Sequence, residues 1–494
     1  MHPRYAHPQI TNIWSSENKL NLWQETELAV IRARVNLGQL PKSVFENISR
    51  LLGAEKIDLA WWQQKDKEVG HDLNAFLEER LRYLPIELQQ HFHDGMTSYD
   101  TEESAFVTML SQSLFLFEAP LEELVKVLKT MALRYRYTIM IGRTHGQEAE
   151  LQSFGKRCLT WLVALKEGVK NLTHAKENLK YSKLSGAIGN YHGINAATEK
   201  EALWLLGFLP FYGTTQILPR ELYVPLAQAL TQIVMTISKM ALDIRLGARS
   251  GRPIYQEPFG KKQKGSSAMP GKKNTIATEQ LEGMARMAKG YCRMIEENIV
   301  TWEERAIEQS CVERVAWPDL FHAALHSVKT ITRVLEGLQV YPDNMMQEII
   351  DSCGCWAAGQ AKEFLRHQGA PYGLSSEDAY RIVQSAAFNA REPVEWRKNM
   401  RKEICASFEK ADSEFFHRRS QKEPTSIQDI ISRCLLVVSS ELAASPECIK
   451  RWHQLLEKIF SGKPDVQDAW CQIFKPSHSL RGEAILYKQI LGYD

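Results

Sequence analysis

Residues 101–131 read "TEESAFVTMLSQSLFLFEAPLEELVKVLKTM". The large apolar residues of this stretch are Phe106, Leu110, Leu114, Phe117, Leu121, Leu124, Leu128 and Met131. Because they recur every three or four positions, they line one face of an α-helix. Asp100 precedes the stretch as a suitable N-cap, and Pro120 should kink the helix or start a new one. The stretch therefore predicts a long amphipathic helix with a break near the proline.

Two later stretches repeat this spacing. Their apolar residues are Leu226, Leu230, Val234, Ile237, Ala241 and Ile244 in one, and Leu281, Met284, Met287, Tyr291, Ile295 and Ile299 in the other. Helices of this length are stable when their apolar faces pack lengthwise into a bundle. Alternating runs rich in β-branched residues are scarce, and the nearest to one is "RYTIMIG" at 136–142. The sequence therefore predicts an all-α fold with a long central helical bundle.

Smaller helical parts are expected on either side of the bundle. One helix should run from Lys19 to Leu37 and another should begin near Pro41, while Ser375 starts a capped helix that opens a C-terminal module. The predicted division is an N-terminal helical domain at 1–100, the central long-helix domain at 101–365 and a C-terminal helical domain at 366–494.

Composition narrows the class of protein. The chain has 494 residues, with 61 basic and 59 acidic side chains and a net charge of +2, which argues against a nucleic-acid-binding surface. We expect no secretory signal and no stretch long enough to span a membrane. Nine scattered cysteines suggest a reducing compartment, hence a cytoplasmic protein. Cys353 and Cys355 lack a second pair at zinc-site spacing, so no metal site is expected there.

Polar segments that interrupt the helices are where chemistry is expected, because connecting loops carry many functional side chains. They are "GHDLNAF" (70–76), "HFHDGMTSYD" (91–100), "GRTHGQEAE" (142–150), "KGSSAMPGKKN" (264–274) and "WEERAIEQSCVER" (302–314). Taken singly, each has another interpretation. The segment 91–94 offers metal-ligand types without a matching further partner, and the lysines of 261–273 are either a solvated turn or a nucleic-acid patch that lacks interleaved aromatic residues.

Together these segments resemble the fumarase/aspartase superfamily of lyases, whose hallmark is a Gly-Ser-Ser-x-Met-Pro-x-Lys-x-Asn loop. The matching residues are Gly265, Ser266, Ser267, Met269, Pro270, Lys272 and Asn274. Seven fixed residues in a ten-residue window make this match specific. Within the superfamily the chain is most similar to the adenylosuccinate lyase family, over roughly residues 3–420, through "RYAHPQITNIWSSENKLNLWQETELA", "GRTHGQEAELQSFGKR", "LSGAIGNYHG" and "ERAIEQSCVER".

The resemblance implies β-elimination of fumarate from adenylosuccinate to give AMP, and the same reaction on the succinylaminoimidazole carboxamide ribonucleotide of purine biosynthesis. It implies no cofactor and no metal. Ser266 is then the general base, acting as an alkoxide in an electropositive setting, and His145 is the general acid that protonates the leaving nitrogen. Lys272 and Asn274 are expected to hold the carboxylate on which negative charge grows.

The resemblance also implies a substrate-binding set. Its members are Arg4, Tyr5, His71, Asp72, His93, Thr97, Ser98, Gln216, Ser267, Met269, Lys273, Arg305, Ser310 and Arg314. Thr97 and Ser98 match the pair that binds a succinyl carboxylate. The phosphate contacts are expected to be Arg4, Tyr5, Arg305, Ser310 and Arg314, since guanidinium groups suit a dianionic phosphate.

The family forms homotetramers in which each active site draws residues from three subunits, and the resemblance implies the same here. Two other functions stay open. One is a related lyase acting on another N-succinyl compound such as argininosuccinate, against which the phosphate-binding set argues. The other is a non-catalytic, lyase-like scaffold protein, against which the intact Ser266, His145, Lys272 and Asn274 argue.

Overall fold

The structure is a computed structural model that describes residues 1–352, 354–389 and 458–492. Helices dominate it. They are α1 (Pro8–Ile13), α2 (Ser16–Asn36), α3 (Lys42–Ala54), α4 (Leu59–Val69), α5 (Asp72–Leu81), α6 (Ile86–Gln89), α7 (Ser98–Phe115), α8 (Glu118–Arg134), α9 (Phe154–Lys176), α10 (Ala196–Leu205), α11 (Val224–Gly247), α12 (Ile276–Glu297), α13 (Glu308–Glu336), α14 (Pro342–Asp351), α15 (Ala358–Gly369), α16 (Ser376–Asn389), α17 (Pro464–Ile473), α18 (Pro476–Leu480) and α19 (Glu483–Leu491). The predicted all-α class is confirmed.

Within the described residues, short strands form three two-stranded pairs. They are β1 (Ile139–Thr144) with β2 (Gln147–Ser153), β3 (Tyr181–Ser182) with β4 (Leu209–Pro210), and β5 (Tyr255–Gln256) with β6 (Gln339–Val340). The first and third pairs are antiparallel and the second is parallel. The run at 136–142, which was the nearest to a strand in the sequence, contains the start of β1. The pair β1–β2 is the longest and presents one of the polar segments as a hairpin.

The predicted break in the first long helix is confirmed, but its predicted N-cap is wrong. Helix α7 begins at Ser98 with Thr97 as its cap, and Asp100 is the third helical residue of a capping box. The Asp100 carboxylate accepts a hydrogen bond from the Thr97 backbone N–H at 3.0 Å, so it closes the helix start from inside the first turn. Pro120 lies in the first turn of α8, where its missing N–H leaves no helical hydrogen bond unmade.

The chain forms two compact units, each assembled from separate stretches. The first unit consists of Met1–Val127, Val163–Leu246 and Glu257–Leu338, and the second of Leu128–Leu162, Gly247–Gln256 and Gln339–Asp494. The three-domain division at residues 100 and 365 followed chain order and stays a prediction. Residues 390–457 of its C-terminal domain, and Cys353, lie outside the described residues.

The first unit is a long-helix body. Helix α12 packs against α13, and α2 packs against both α7 and α10. The predicted apolar stripe of α11 is completely buried at Leu226, Leu230, Val234, Ile237, Ala241 and Ile244. Ile299, which was assigned to the stripe of α12, lies beyond the end of that helix and is 40% exposed. Periodicity thus located the buried faces and overran one helix end.

The second unit has its own apolar core. Its members include Ile141, Leu151, Ile349, Trp356, Ile459, Phe460, Trp470 and Ile473. Glu483, at the start of α19, accepts hydrogen bonds from the backbone N–H and the hydroxyl of Ser153, at 2.9 and 2.6 Å. These bonds fix the end of β2 to the last described helix. The hairpin β1–β2 is therefore anchored within this unit.

By length and composition, the helical stretch Ser98–Arg134 would suffice to cross a membrane, which the sequence analysis did not expect. Of its most apolar window, 56% is buried inside the protein. The core helix of a water-soluble protein passes the same test, so one such stretch is weak evidence for a membrane span. The expectation that the protein has no membrane partner stays a prediction.

Candidate active site

Several predicted substrate-binding residues meet at the N-terminus of α7. The Gln216 side-chain amide donates to the Thr97 hydroxyl at 3.4 Å, and Arg305 donates to the Gln216 side-chain oxygen at 2.9 Å. Ser98 is the first residue of the helix beside them. The exposed N–H groups and the dipole of a helix start favour an anion. This corner of the first unit can therefore bind a carboxylate.

Arg305 is held in place by two residues that the sequence analysis missed. Its guanidinium lies 3.9 Å from the centre of the Tyr99 ring, a cation–π contact. The Tyr99 hydroxyl in turn accepts a hydrogen bond from the Gln309 side chain at 2.6 Å. Burial raises the pKa of the Tyr99 hydroxyl, so the ring stays neutral. The one signal in the sequence was the position of this aromatic residue directly after Thr97 and Ser98.

A buried ion pair also holds the N-terminus of α7 in place. Lys183 lies 2.8 Å from the Asp100 carboxylate, and neither side chain has any exposed surface. The Lys183 ammonium also donates to the backbone carbonyl of Gln216 at 2.9 Å. A buried charge is tolerable when it is paired and hydrogen-bonded in this way. Lys183 thus ties Gln216 to the helix that carries Thr97.

Two glycines let the loop before α7 approach the "LSGAIGNYHG" loop. A Cβ atom on Gly95 would lie 2.3 Å from the Gly193 carbonyl oxygen, and a Cβ on Gly193 would lie 2.0 Å from that of Gly95. Gly95 also has a φ of +69°, which favours glycine. The close approach of two backbones explains why these positions of the family-like segments carry no side chain.

Asp72 and Arg314, both assigned to the substrate site, form an ion pair. One Asp72 oxygen lies 2.9 Å from the Arg314 guanidinium and 3.1 Å from the Lys19 ammonium. Burial acts to raise the pKa of Asp72, but Lys19 and Arg314 outweigh it, and the pKa lies below its usual value. Asp72 is therefore ionised at neutral pH, and Lys19 is a cation of this site that the sequence analysis missed.

His71 and Ser310 belong to the same corner of the first unit. His71 caps α5, and its Nδ1 accepts from the Asn74 backbone N–H at 3.4 Å. Ser310 is buried one helical turn before Arg314, and its hydroxyl donates to the Ile307 carbonyl at 2.9 Å. Binding a phosphate would require that hydroxyl to turn away from the carbonyl, because it has a single proton to donate.

An open pocket of about 150 Å³ adjoins these cations. It is lined by Trp14, Ser16, Lys19, Trp23, Tyr99, Glu102, Phe106, Met109, Ser310, Glu313 and Arg314. Burial and the neighbouring Asp72 raise the pKa of Glu102 to about 7, although Lys19 and Arg314 act in the opposite direction. Glu102 was not singled out in the sequence, where it is one of two consecutive glutamates on an amphipathic helix.

The predicted phosphate-binding set divides into two groups within the chain. The Tyr5 ring packs edge-on against His326, with 5.3 Å between ring centres. Helix α13 carries both His326 and Arg314, and twelve residues at 1.5 Å each place them about 18 Å apart along its axis. Arg4 precedes Tyr5 and is exposed. The structure thus groups Arg305, Ser310 and Arg314 and leaves Arg4 and Tyr5 beside a later part of the helix.

Two of the candidate metal ligands in the segment 91–94, His93 and Asp94, each contact another residue. The His93 ring nitrogen Nδ1 lies 2.7 Å from the Glu27 carboxylate, and Asp94 forms an ion pair with Arg34. Among the described residues, His, Cys, Asp and Glu form no group of three that could hold a metal. These contacts argue against the metal interpretation, and the assignment of His93 to the substrate site stays a prediction.

The signature loop closes on itself. The Asn274 side-chain amide donates to the Gly265 carbonyl at 2.6 Å, so its first role here is to join the two ends of the loop. The Met269 backbone N–H donates to the Ser266 hydroxyl oxygen at 3.1 Å. A hydrogen-bond donor at that oxygen favours its deprotonated form. Lys272 also belongs to the loop, and its side chain is exposed. Its backbone N–H donates a hydrogen bond to the Met269 carbonyl at 3.0 Å.

The rest of the loop is exposed to solvent in the single chain. Ser267, Met269, Lys272 and Lys273 are exposed, and Met269 retains 54% of its side-chain surface. Lys273 lies 5.8 Å from the centre of the Phe259 ring. If these loop side chains bind a substrate, they contact it at this exposed surface.

His145 belongs to the second unit. It forms the two-residue turn between β1 and β2 together with Gly146, and their φ angles are +53° and +76°. Positive φ at both central residues is what a type I′ hairpin turn requires, and glycine suits the second position. The sequence analysis expected a polar loop here. The hairpin presents the exposed imidazole on a rigid support.

The raised pKa of Glu102 predicts a pH-dependent stability. A carboxyl whose pKa is 4.5 when unfolded and about 7 when folded keeps its proton better in the folded state. The free energy of unfolding should therefore fall as pH rises from 4.5 to 7, by on the order of 1–3 kcal/mol. The Glu102→Gln variant has no carboxyl to lose a proton and so avoids this loss. Relative to the unaltered protein, its urea unfolding midpoint should therefore be higher at pH 8 than at pH 5. The exposed Glu122→Gln is the control, and an equal effect of Glu102→Gln at both pH values would contradict the assignment.

Comparison with known proteins identifies relatives of this chain over most of its length. A model of a lyase family matches residues 4–290. The chain is 36% identical to the adenylosuccinate lyase of Thermotoga maritima over 384 residues, which cover 78% of this chain and 87% of that protein. It is 34% identical to the adenylosuccinate lyase of Synechocystis sp. over 387 residues, which cover 78% of this chain and 88% of that protein.

Solved structures with the same fold have lower identity. A fumarate lyase from Mesorhizobium sp. BNC1 superposes with a TM-score of 0.77 at 20% identity, covering 100% of both chains. The β-carboxy-cis,cis-muconate cycloisomerase of Acinetobacter calcoaceticus superposes with a TM-score of 0.72 at 18% identity, covering 99% of this chain and 98% of that one. These likenesses support the fold alone. The match to the lyase family model and the sequence relatives show that the chain belongs to the adenylosuccinate lyase family of the fumarase/aspartase superfamily.

Proposed function

We propose that this protein is an adenylosuccinate lyase, which eliminates fumarate from adenylosuccinate to leave AMP. The observation that carries the proposal is the chain of contacts from Arg305 through Gln216 to Thr97. It joins a cation assigned to the phosphate with a hydroxyl assigned to the succinyl carboxylate. A substrate that bears both groups, such as a succinylated nucleotide, suits such a site. The relatives at 34% and 36% identity support the same substrate.

The elimination needs one base and one acid. We assign Ser266 as the base that takes a proton from the carbon next to a succinyl carboxylate. The electron pair left behind forms the double bond of fumarate as the carbon–nitrogen bond breaks, and His145 protonates the departing nitrogen. The Met269 N–H at the Ser266 oxygen supports an alkoxide there. Both assignments rest on the family resemblance.

Charge builds up on the succinyl carboxylate during the reaction. We assign Lys272 to its stabilisation, because fixed positive charge where negative charge develops lowers the barrier. Asn274 has a second amide hydrogen besides the one that closes the loop, so it can also donate to that carboxylate. Closure of the loop over the substrate would bring these exposed groups onto it and exclude water.

We further propose that each site is shared between copies in a homotetramer. Tyr5 and Arg314 are assigned to one phosphate, yet in one copy of the chain Tyr5 packs against His326, which lies about 18 Å from Arg314 along α13. Residues from different copies can meet where those of one copy do not. The assignment includes the succinylaminoimidazole carboxamide ribonucleotide as a second substrate and a role in purine biosynthesis. In the part of the chain that the structure describes, Cys158, Cys292 and Cys311 are free thiols, which supports a cytoplasmic location.

Purified protein should release fumarate from adenylosuccinate, followed by absorbance, and should leave argininosuccinate unchanged. Ser266→Ala and His145→Ala should each lower kcat by about 100-fold to 10,000-fold, the scale of a lost general base or acid. Lys261→Ala, which changes an exposed lysine outside the motif, is the control and should retain activity. Release of fumarate from argininosuccinate alone would favour the related lyase, and no release from either would favour the non-catalytic scaffold.

Two glycines of the signature loop form a matched pair. A Cβ on Gly265 would lie 2.0 Å from the Lys272 carbonyl oxygen, whereas a Cβ on Gly271 would meet nothing within 4 Å. Gly265→Ala should therefore displace the loop and lower kcat/KM by about 100-fold, as a small misplacement of reacting groups does. Gly271→Ala should change it by less than about twofold. Equal losses in the two variants would show that the observed closure of the loop is unrelated to turnover.

Sharing of sites predicts that two inactive variants rescue each other. After Ser266→Ala and His145→Ala protein are mixed, unfolded together and refolded, up to about a quarter of the normal activity should return. Each site then draws an intact serine half of the time and an intact histidine half of the time. Each variant refolded alone is the control. Mixtures no more active than these controls would mean that both residues of a site come from one copy.

A further inference from the structure

Glu27 is a buried carboxylate beside the proposed site that has no assigned role. It lies in α2 and has no exposed surface. Its two oxygens accept three hydrogen bonds: from the His93 backbone N–H at 3.0 Å, from His93 Nδ1 at 2.7 Å and from the Thr101 hydroxyl at 2.6 Å. A buried carboxylate is tolerable when donors surround it in this way. Two of its three donors belong to one residue.

That double contact fixes the His93 ring. A proton on Nδ1 is held by the carboxylate, so Nε2 is the nitrogen left to face outward. In the part of the chain that the structure describes, Nε2 has no hydrogen-bond partner, and the side chain keeps 18% of its surface exposed. Burial acts to lower the pKa of His93, but the bond to Glu27 and the charges of Glu27 and Asp100 raise it overall. The ring thus favours the form that donates from both nitrogens.

The backbone conformation of His93 shows that its surroundings hold the residue in an unfavourable geometry. His93 has a φ of +60°, a left-handed conformation that is uncommon for a residue with a side chain. Strain of this kind persists where surrounding contacts hold the residue, and here the bond from its N–H to Glu27 does so. Four residues later comes Thr97, which caps α7 in the carboxylate-binding corner. The imidazole is therefore held rigidly at the edge of the proposed site.

We propose that Glu27 is a positioning residue that holds His93 so that its Nε2–H donates to an anionic oxygen of the substrate. The inference rests on the proposed function, since it needs a substrate with such an oxygen. A succinylated nucleotide offers two sources, a carboxylate and a phosphate. Fumarate carries carboxylates and AMP carries the phosphate, so inhibition by each product separates the two sources.

A double-mutant cycle tests whether Glu27 acts through His93. Glu27→Gln keeps the size of the side chain, and we expect it to lower kcat/KM by about 10-fold to 100-fold, the scale of a misplaced binding group. In a His93→Gln background the same change should cost less than about twofold, because the group that it positions is gone. Glu25→Gln, at an exposed position of the same helix, is the matched control and should match the unaltered protein.

The inhibition constant that rises in Glu27→Gln, for fumarate or for AMP, identifies the oxygen that His93 contacts. Equal losses from Glu27→Gln with and without His93 would overturn the proposal, because Glu27 would then act by another route. A Glu27→Gln variant with unchanged kcat/KM and unchanged inhibition would overturn it as well.

A second measurement needs neither a variant of Glu27 nor activity. Histidine labelled with ¹⁵N in the unaltered protein reports which ring nitrogen carries the proton, and the His93→Gln spectrum identifies the signal. We expect neutral His93 to carry its proton on Nδ1, and the ring to gain the Nε2 proton that it donates with a pKa above the usual value of a histidine. A proton on Nε2 alone in the neutral form would overturn the inference. Failure of the substrate assay would instead count against the proposed function.

Discussion

An α-helix is a straight rod that advances 1.5 Å per residue, and one such rod sets the geometry of this site. Helix α13 carries Ser310 and Arg314 near its start, and it continues through Pro318 to His326, against which Tyr5 packs. The chain cannot fold back between these points. One copy of the chain therefore presents two predicted phosphate-binding groups about 18 Å apart along one helix. We propose that a phosphate bound by both groups lies where copies of the chain meet.

Within the first unit, buried ion pairs hold the site residues in place. Arg220 pairs with Glu103 at 2.9 Å and with Glu313 at 2.8 Å, which links the segment before α11 to α7 and α13. Lys183 and Asp100 add a second buried pair at the start of α7. Breaking such a pair leaves a charge without a partner in the interior, at a cost of about 3–5 kcal/mol. The donors around Thr97 and Gln216 are thus arranged before any substrate arrives, and such preorganisation is what electrostatic stabilisation of developing charge needs.

Regular periodicity explains how far the fold could be predicted. The stripes of α7, α8, α11 and α12 follow from spacing alone, and the signature loop follows from a motif in which each residue type has a specific place. The cap of α7 was misplaced because Asp100 suits an N-cap as well as the third position of a capping box. The hairpin around His145 was missed because its strands carry polar residues that alternate weakly.

Contacts between residues far apart in the chain account for what the sequence could not show. Glu27 and His93 are separated by 66 positions, and Lys19 and Asp72 by 53. Lys19 and Glu27 lie in a segment that resembles the family, but each falls within an ordinary helical pattern and neither was singled out. Their importance arises only when the helices pack together. In the packed unit, Glu27 is buried and holds the His93 imidazole, and Lys19 lies beside Arg314 and Asp72 as a third charged group.

We propose that the phosphate site is composed of residues from more than one copy of the chain. A crystal structure of Ser266→Ala protein with adenylosuccinate bound would decide this. We expect the phosphate to contact Arg314 of one copy and Tyr5 of another. A phosphate bound by Arg4, Tyr5 and Arg314 of the same copy would contradict it.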